Sequence, residues 1–157
     1  MPTHYDGKPD EILALDTYIK LNRATDSFED RLHERSSMGG LTPSQFSVLE
    51  ALLHLGSMCQ GELSRKLLRS TGNMTLVIDN LEKRGLVRRE RSSEDRRMIT
   101  IVLTPTGKER IEQVFPQHAS IITDEMSVLS PAEQVELGRL CRKLGLSVSE
   151  KRQVEGG

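Results

Sequence analysis

Residues 62–107 read ELSRKLLRSTGNMTLVIDNLEKRGLVRRERSSEDRRMITIVLTPTG, and no other stretch restricts the fold as strongly. Gln60 to about Leu68 predicts a short helix with Leu63, Leu67 and Leu68 facing inward. Ser70 and Thr71 offer N-caps for a second helix running to about Arg84. In that helix Met74, Val77, Ile78 and Leu81 fall at i, i+3, i+4 and i+7, one buried stripe. Gly85 ends it. Leu86 and Val87 lead into a strand, RRER is its exposed run and SSED is a turn. Ile99, Ile101 and Leu103 alternate with Thr100 and Val102, which marks a return strand. A helix pair followed by a basic two-stranded wing can set a helix end and a loop tip against one duplex together.

The flanks read as long helices. Residues 1–9, with Gly7 and two prolines, read as a flexible lead. From Asp10 to about Arg35, Ile12, Leu15, Ile19, Phe28 and Leu32 recur at helical spacing. Ser36 to Gly40 breaks this helix. Thr42 is then an N-cap, Pro43 sits where a missing N–H costs nothing, and Gln45 completes a capping box. Phe46, Leu49, Leu52 and Leu53 supply the buried stripe, and Gly56 a left-handed stop. Thr104-Pro105 opens a fifth helix that Pro116 should kink. Ser130-Pro131 with Glu133 opens a sixth, to about Leu144, with Leu137, Leu140, Cys141 and Leu144 as its packed stripe. Residues 147–157 read as a flexible tail.

Charge supports the central segment. Gln60 to Arg110 carries 12 Lys/Arg against 7 Asp/Glu, while the rest carries 10 against 16. A basic centre between acidic ends focuses a polyanion on one surface, although the net charge is −1. With three Phe, two Tyr and no Trp, the core must be aliphatic, and a second copy would help to complete it. Two distant cysteines form no disulfide framework, and the N-terminus has no basic and apolar signal pattern. No apolar run is long enough for a membrane span, so the expected setting is cytoplasmic, with no membrane partner.

In this order, GNMTLVIDNLEKRGLVRRE, SSEDRRMITIVLTPTG and the aspartate-x-arginine signature at Asp95–Arg97 resemble the MarR family of winged helix-turn-helix bacterial transcription regulators. The resemblance spans about Asp10 to Leu146. It implies a mainly α fold with a small β-hairpin wing and interlaced N- and C-terminal helices. Residues 10–35 and 105–146 would form the dimer body and 41–104 the DNA-binding lobe. The implied partners are double-stranded DNA and a second copy of the chain.

On this reading the start of the fourth helix enters the major groove, presenting Ser70, Thr71, Gly72, Asn73, Thr75 and Leu76. Asn pairs with an adenine edge, Ser and Thr reach bases or phosphates, and Leu touches a thymine methyl. In a helix taken alone, Ser70 and Thr71 would read first as caps and Asn73 as a solvated amide, and the surrounding motif reverses that preference. Leu76 lies off the buried stripe and has no such task. Arg97 matches the family's wing arginine, which enters the minor groove. Arg88, Arg89, Arg91 and Arg96 complete the basic hairpin, with Arg88, Arg89 and Arg96 as phosphate contacts. Asp95 is assigned to holding Arg97 or a neighbouring arginine by a charge-assisted hydrogen bond. Two lobes on a two-fold axis call for an inverted-repeat operator, and occupying a promoter most simply represses it.

The family also commonly takes a small aromatic or anionic effector between dimer body and lobe. Here His33, Phe46, His54, Phe115 and His118 are the cleft candidates, with core packing as the plainer role for the two phenylalanines. Cys59, at the start of the third helix, is the candidate for thiol modification, and a structural role competes with it. Histidines at 4, 33, 54 and 118 lack metal-ligand spacing, so no metal and no cofactor are expected. Two rival classes fit the residues less well. A protein-docking winged helix leaves the wing arginines without a partner of matching charge. An enzyme lacks a nucleophile elbow, a phosphate-cradling loop, a zinc motif and paired apolar carboxylates.

Overall fold

The computed structural model describes residues 2–67 and 71–155, with backbone alone at 71 and 147–155. Two compact units divide the chain, residues 1–121 and 122–157. In chain order the elements are α1 (Pro9–Glu34), α2 (Pro43–Leu55), β1 (Met58–Cys59), α3 (Gln60–Lys66), α4 (Thr71–Lys83), β2 (Val87–Arg91), β3 (Ile99–Leu103), α5 (Pro105–Met126) and α6 (Pro131–Glu155). Leu68 and Ser70 lie outside the described residues, so the expected cap of α4 does too. Among the described residues, no helix is long and apolar enough to cross a membrane.

The N-terminal ends form where their chemistry predicts. Thr42 Oγ1 accepts from Gln45 N at 3.2 Å, and Gln45 Oε1 accepts from Thr42 N at 3.1 Å, a complete capping box. Ser130 and Glu133 make the same reciprocal pair at 3.2 and 2.7 Å. Asp10 and Glu11 in the first turn of α1, and Arg31 and His33 in its last, suit the helix dipole. Residues 2–8 run back along α1 rather than hanging free, with Thr3 N donating to Asp16 Oδ1 at 2.6 Å. Likewise α6 continues to Glu155, about three turns past the expected stop, since it passes through Gly145 and no proline follows to end it.

The sheet has three strands, not two. Its order is β1-β3-β2, antiparallel throughout. Met58 and Cys59 pair with Ile101 and Thr100, which covers the second edge of β3. Two residues are too few to show alternation in a sequence, so β1 left no readable signal. In the wing the expected return strand is present, and Val87 pairs with Leu103 and Arg91 with Ile99.

The core of the first unit joins α2, α3, α4, the sheet and α5. Phe46, Leu49, Leu52, Leu63, Met74, Ile78, Leu81, Ile101 and Ile111 are buried in it. Val48 and Ala51 are buried as well, so α2 is covered over a wider arc than its predicted stripe. At about 25 cal/mol per Å² of apolar surface removed from water, such side chains are the main stabilising term. The expected stripe of α4 is buried at all four positions.

Two joints position the lobe. Gly39, at φ 58°, brings the 36–41 turn so close to α5 that a Cβ would stand 2.6 Å from Val114 Cγ2. Beside it Arg110 Nη2 donates to the Gly39 carbonyl. At the second joint Thr104 alone separates β3 from α5. Its N donates to Leu86 O at 3.2 Å, and its hydroxyl donates to Gly85 O at 2.6 Å and accepts from Gly107 N at 3.0 Å. Gly107 is buried there because a Cβ would collide with the Leu86 carbonyl oxygen. α5 runs without interruption through Pro116.

The second unit contains α6 and the turn before it. Gln134 Nε2 donates to both Met126 O and Leu129 O at 3.1 Å, clasping that turn. Leu137, Leu140, Cys141 and Leu144 share one face of α6, and all four are exposed within the single chain. The packed stripe expected for α6 is therefore exposed among the described residues. The isolated chain leaves Leu13 and Tyr18 of α1 exposed too.

Candidate nucleic-acid interface

α3 precedes α4, and α4 turns its apolar stripe inward. Its opposite side is left to solvent, with Gly72, Asn73 and Leu76 exposed. Leu76 is 64% exposed, so its side chain is open to contact by a partner. Gly72 has open space where a side chain would stand, so backbone can approach a partner there. Thr75 is half-buried, and its Oγ1 accepts a 2.7 Å bond from Gln60 Nε2 at the head of α3. Gln60 thus fixes how α3 lies on α4, a part that its position as first residue of a short helix did not reveal. For Thr71 only the backbone is described, as the first residue of α4.

The wing loop is built from its own polar side chains. Ser92 Oγ accepts from Glu94 N at 3.2 Å and from Asp95 N at 3.4 Å. Ser92 N and Met98 O close the loop at 3.0 Å. Asp95 Oδ1 accepts from Arg97 N at 3.0 Å. Asp95 therefore holds the backbone of Arg97, not its guanidinium. An aspartate side chain is short and reaches the N–H two residues on most readily. The effect is still to aim Arg97, through the loop.

The wing arginines divide into two sets. Arg91, Arg96 and Arg97 are exposed, and among the described residues none forms an ion pair. Arg88 pairs with Glu90, two residues along the same strand face, at 2.7 Å in full view of solvent. Arg89 is different. Its Nη2 lies 2.7 Å from Asp79 Oδ1 and its Nη1 3.0 Å from Glu82 Oε1, both on α4. Its backbone N also donates to Glu82 Oε2 at 2.9 Å. The role of phosphate contact expected for Arg89 meets a guanidinium already engaged within the lobe.

Four of the five cleft candidates meet between α2 and α5. Phe46 stacks on Phe115 with ring centroids 6.3 Å apart, and His118 sits 4.3 Å from Phe46. His54 meets Phe115 edge-on at 5.1 Å. Burial pushes the His118 imidazole below its ordinary value, against the opposing pull of the Glu50 carboxylate and the Ser37 backbone. Among the described residues, its Nδ1 is buried without a hydrogen-bond partner. His33 stands elsewhere: it is exposed on α1 and lines a cavity of about 250 Å³ with Leu32, Ser37, Met38, Leu41 and Pro43. The direction of α1 relative to α2 decides this, and spacing along α1 does not encode it. Cys59 ends β1 and is half-buried, with no side-chain bond to the start of α3.

Residues 41–99 match the model of the MarR family. The HTH-type transcriptional regulator MhqR of Bacillus subtilis (strain 168) is 33% identical over 137 residues, covering 87% of this chain and 94% of that protein. The HTH-type transcriptional repressor MdtR of the same organism is 26% identical over 147 residues, covering 92% and 95%. Among solved structures, Bordetella bronchiseptica BpsR, studied for regulation of its DNA binding by 6-hydroxynicotinic acid, aligns with a TM-score of 0.76 at 26% identity, covering 92% of this chain and 98% of that one. Similar to these regulators over nearly its whole length, the chain belongs to the MarR family of DNA-binding transcriptional regulators.

Proposed function

We propose that this regulator is a cytoplasmic homodimeric repressor. Each protomer inserts the start of α4 into the major groove and the Arg97 wing tip into the neighbouring minor groove. Asn73 and Leu76 then read base edges, while Arg91 and Arg96 contact phosphate. The observation that carries this reading is the pairing of an exposed Leu76 on α4 with three exposed wing arginines that form no ion pair among the described residues. Dimerisation is supported by the uncovered stripe Leu137, Leu140, Cys141 and Leu144 on α6, since contiguous exposed apolar faces mark interfaces. Residues 10–35 and 105–146 make the dimer body in this reading, and 41–104 the lobe. Repression is favoured by the similarity to MdtR, a named repressor. We assign the chain no catalytic activity.

A small aromatic or anionic effector fits the ring cluster of Phe46, His54, Phe115 and His118. Support comes from the unpartnered Nδ1 of His118 amid stacking faces, and from BpsR, whose DNA binding responds to 6-hydroxynicotinic acid. Selection of bound fragments from a randomised duplex pool tests the whole reading. The expected product is an imperfect inverted repeat with half-sites about one helical turn apart. Sedimentation of the free protein as a monomer, or recovery of sites without symmetry, refutes it.

A further inference from the structure

We propose that Arg89 is a positioning residue that locks the wing to α4, setting the distance between the two parts that grip the duplex. This rests on the reading that α4 and the wing bind DNA together. The guanidinium reaches Asp79 through Nη2 and Glu82 through Nη1. Glu82 uses its second oxygen on the Arg89 backbone N–H, so it holds side chain and strand at once. Asp79 and Glu82 stand three residues apart on α4, hence on one face of the helix. β2 is also tied to that helix by the short link through Gly85 and Leu86 and by Val87, buried in one core with Ile78 and Leu81, but neither holds the strand's outer face to α4.

The charge count argues against a phosphate contact. Asp79, Glu82 and Arg89 together carry one net negative charge beside a surface that must meet a polyanion. Such a group repels phosphate, so its gain is geometric. A forked guanidinium spans two carboxylates where an ammonium cannot, because its donors lie in one fixed plane. Arg89 is the most enclosed partner of the three, its side chain 24% exposed against 45% and 41% for the two acids.

The sign of one substitution separates the two roles. Replacing both acids, Asp79→Ala with Glu82→Ala, removes two negative charges and improves helix propensity. Electrostatics alone then predicts tighter binding. The lock predicts roughly tenfold weaker binding to a duplex selected by the parent protein, the scale of a coupled charge-assisted network. Affinity for a random-sequence duplex of equal length should hold or rise, so the specificity ratio falls. Arg89→Gln should also weaken specific binding while leaving the salt slope at the parent's value. Loss of a phosphate contact would instead flatten the slope by about 0.9 per protomer, roughly 1.8 for the dimer. Arg89→Lys should fail to rescue.

Fluorescence anisotropy over a salt series measures these outcomes on the full chain, and circular dichroism checks that each variant is folded. Equal or tighter specific binding by the double variant overturns the lock and leaves the DNA reading intact. A flatter salt slope for Arg89→Gln overturns it too, since Arg89 would then be a phosphate contact. Failure of the parent to bind any duplex overturns both readings.

Discussion

Gly107→Ala offers a sharp test of how the lobe is joined to α5. Alanine normally favours a helix over glycine by about 1 kcal/mol. At Gly107 the surroundings reverse that sign. The new Cβ would overlap the Leu86 carbonyl oxygen and lie 2.9 Å from both Leu86 C and Leu103 Cδ1. Comfortable carbon contacts need about 3.5 Å or more. The start of α5 must therefore move away, and three bonds are at stake there: Thr104 N to Leu86 O, Thr104 Oγ1 to Gly85 O, and Gly107 N to Thr104 Oγ1. Each contributes about 1 kcal/mol net. Overpacking a core position costs a further 1–3 kcal/mol or so. Set against the helix gain, and with the bonds only partly lost, the net cost comes to about 3 kcal/mol. For a chain of this size that lowers the melting temperature by roughly 6–12 °C. Gly61→Ala is the control: Gly61 is also helical, but its nearest neighbour is the tip of Arg65 at 4.0 Å. It should be neutral or stabilising by up to about 1 kcal/mol. Thermal and urea unfolding of both variants supply the comparison. If Gly107→Ala unfolds with or above Gly61→Ala, the account of this joint is wrong.

Three further outcomes are expected. Because burial lowers the His118 value below its ordinary 6.5, the unfolded chain binds more protons as pH falls below that point. The contribution of His118 to stability is thus complete above about 6.5 and is lost toward the folded value; urea midpoints over a pH series should lose part of their acid slope in His118→Phe. Arg97→Ala should weaken duplex binding and flatten its salt dependence by about 0.9 per protomer, roughly 1.8 for the dimer, whereas Asn73→Ala should relax base preference at one position per half-site for about 1–3 kcal/mol, both read from binding isotherms. Thr42→Ala removes the cap of α2 and should cost about 1 kcal/mol, measured by chemical unfolding.

Local chemistry made most of the fold legible. Thr42 with Pro43 and Gln45, and Ser130 with Pro131 and Glu133, announce helix starts because donor and acceptor lie within four residues. The stripe from Met74 to Leu81 and the alternation from Ile99 to Leu103 likewise need only neighbours. What stayed hidden depends on distant partners. β1 exists because Met58 meets Ile101, and the bond from Gln60 to Thr75 exists because α3 crosses α4. At the site, the exposure of Leu76 and of the wing tip followed from pattern. The capture of Arg89 by Asp79 and Glu82 did not, since a run of arginines on a strand looks uniform until the helix beneath it is in view. Phe115 and His118 share a helix face by spacing, but only the packing of α2 brings Phe46 and His54 to them.

The direct passage from β3 through Thr104 into α5 leaves no slack in the chain. Whatever rolls or tilts that rod transmits torque straight to the root of the arginine hairpin, like a crank turned at its shaft. The ring stack of Phe46, Phe115 and His118 lies farther along the same shaft. On the proposed reading, a molecule wedged among those rings would act on the arginine tip from a distance, without needing to touch it.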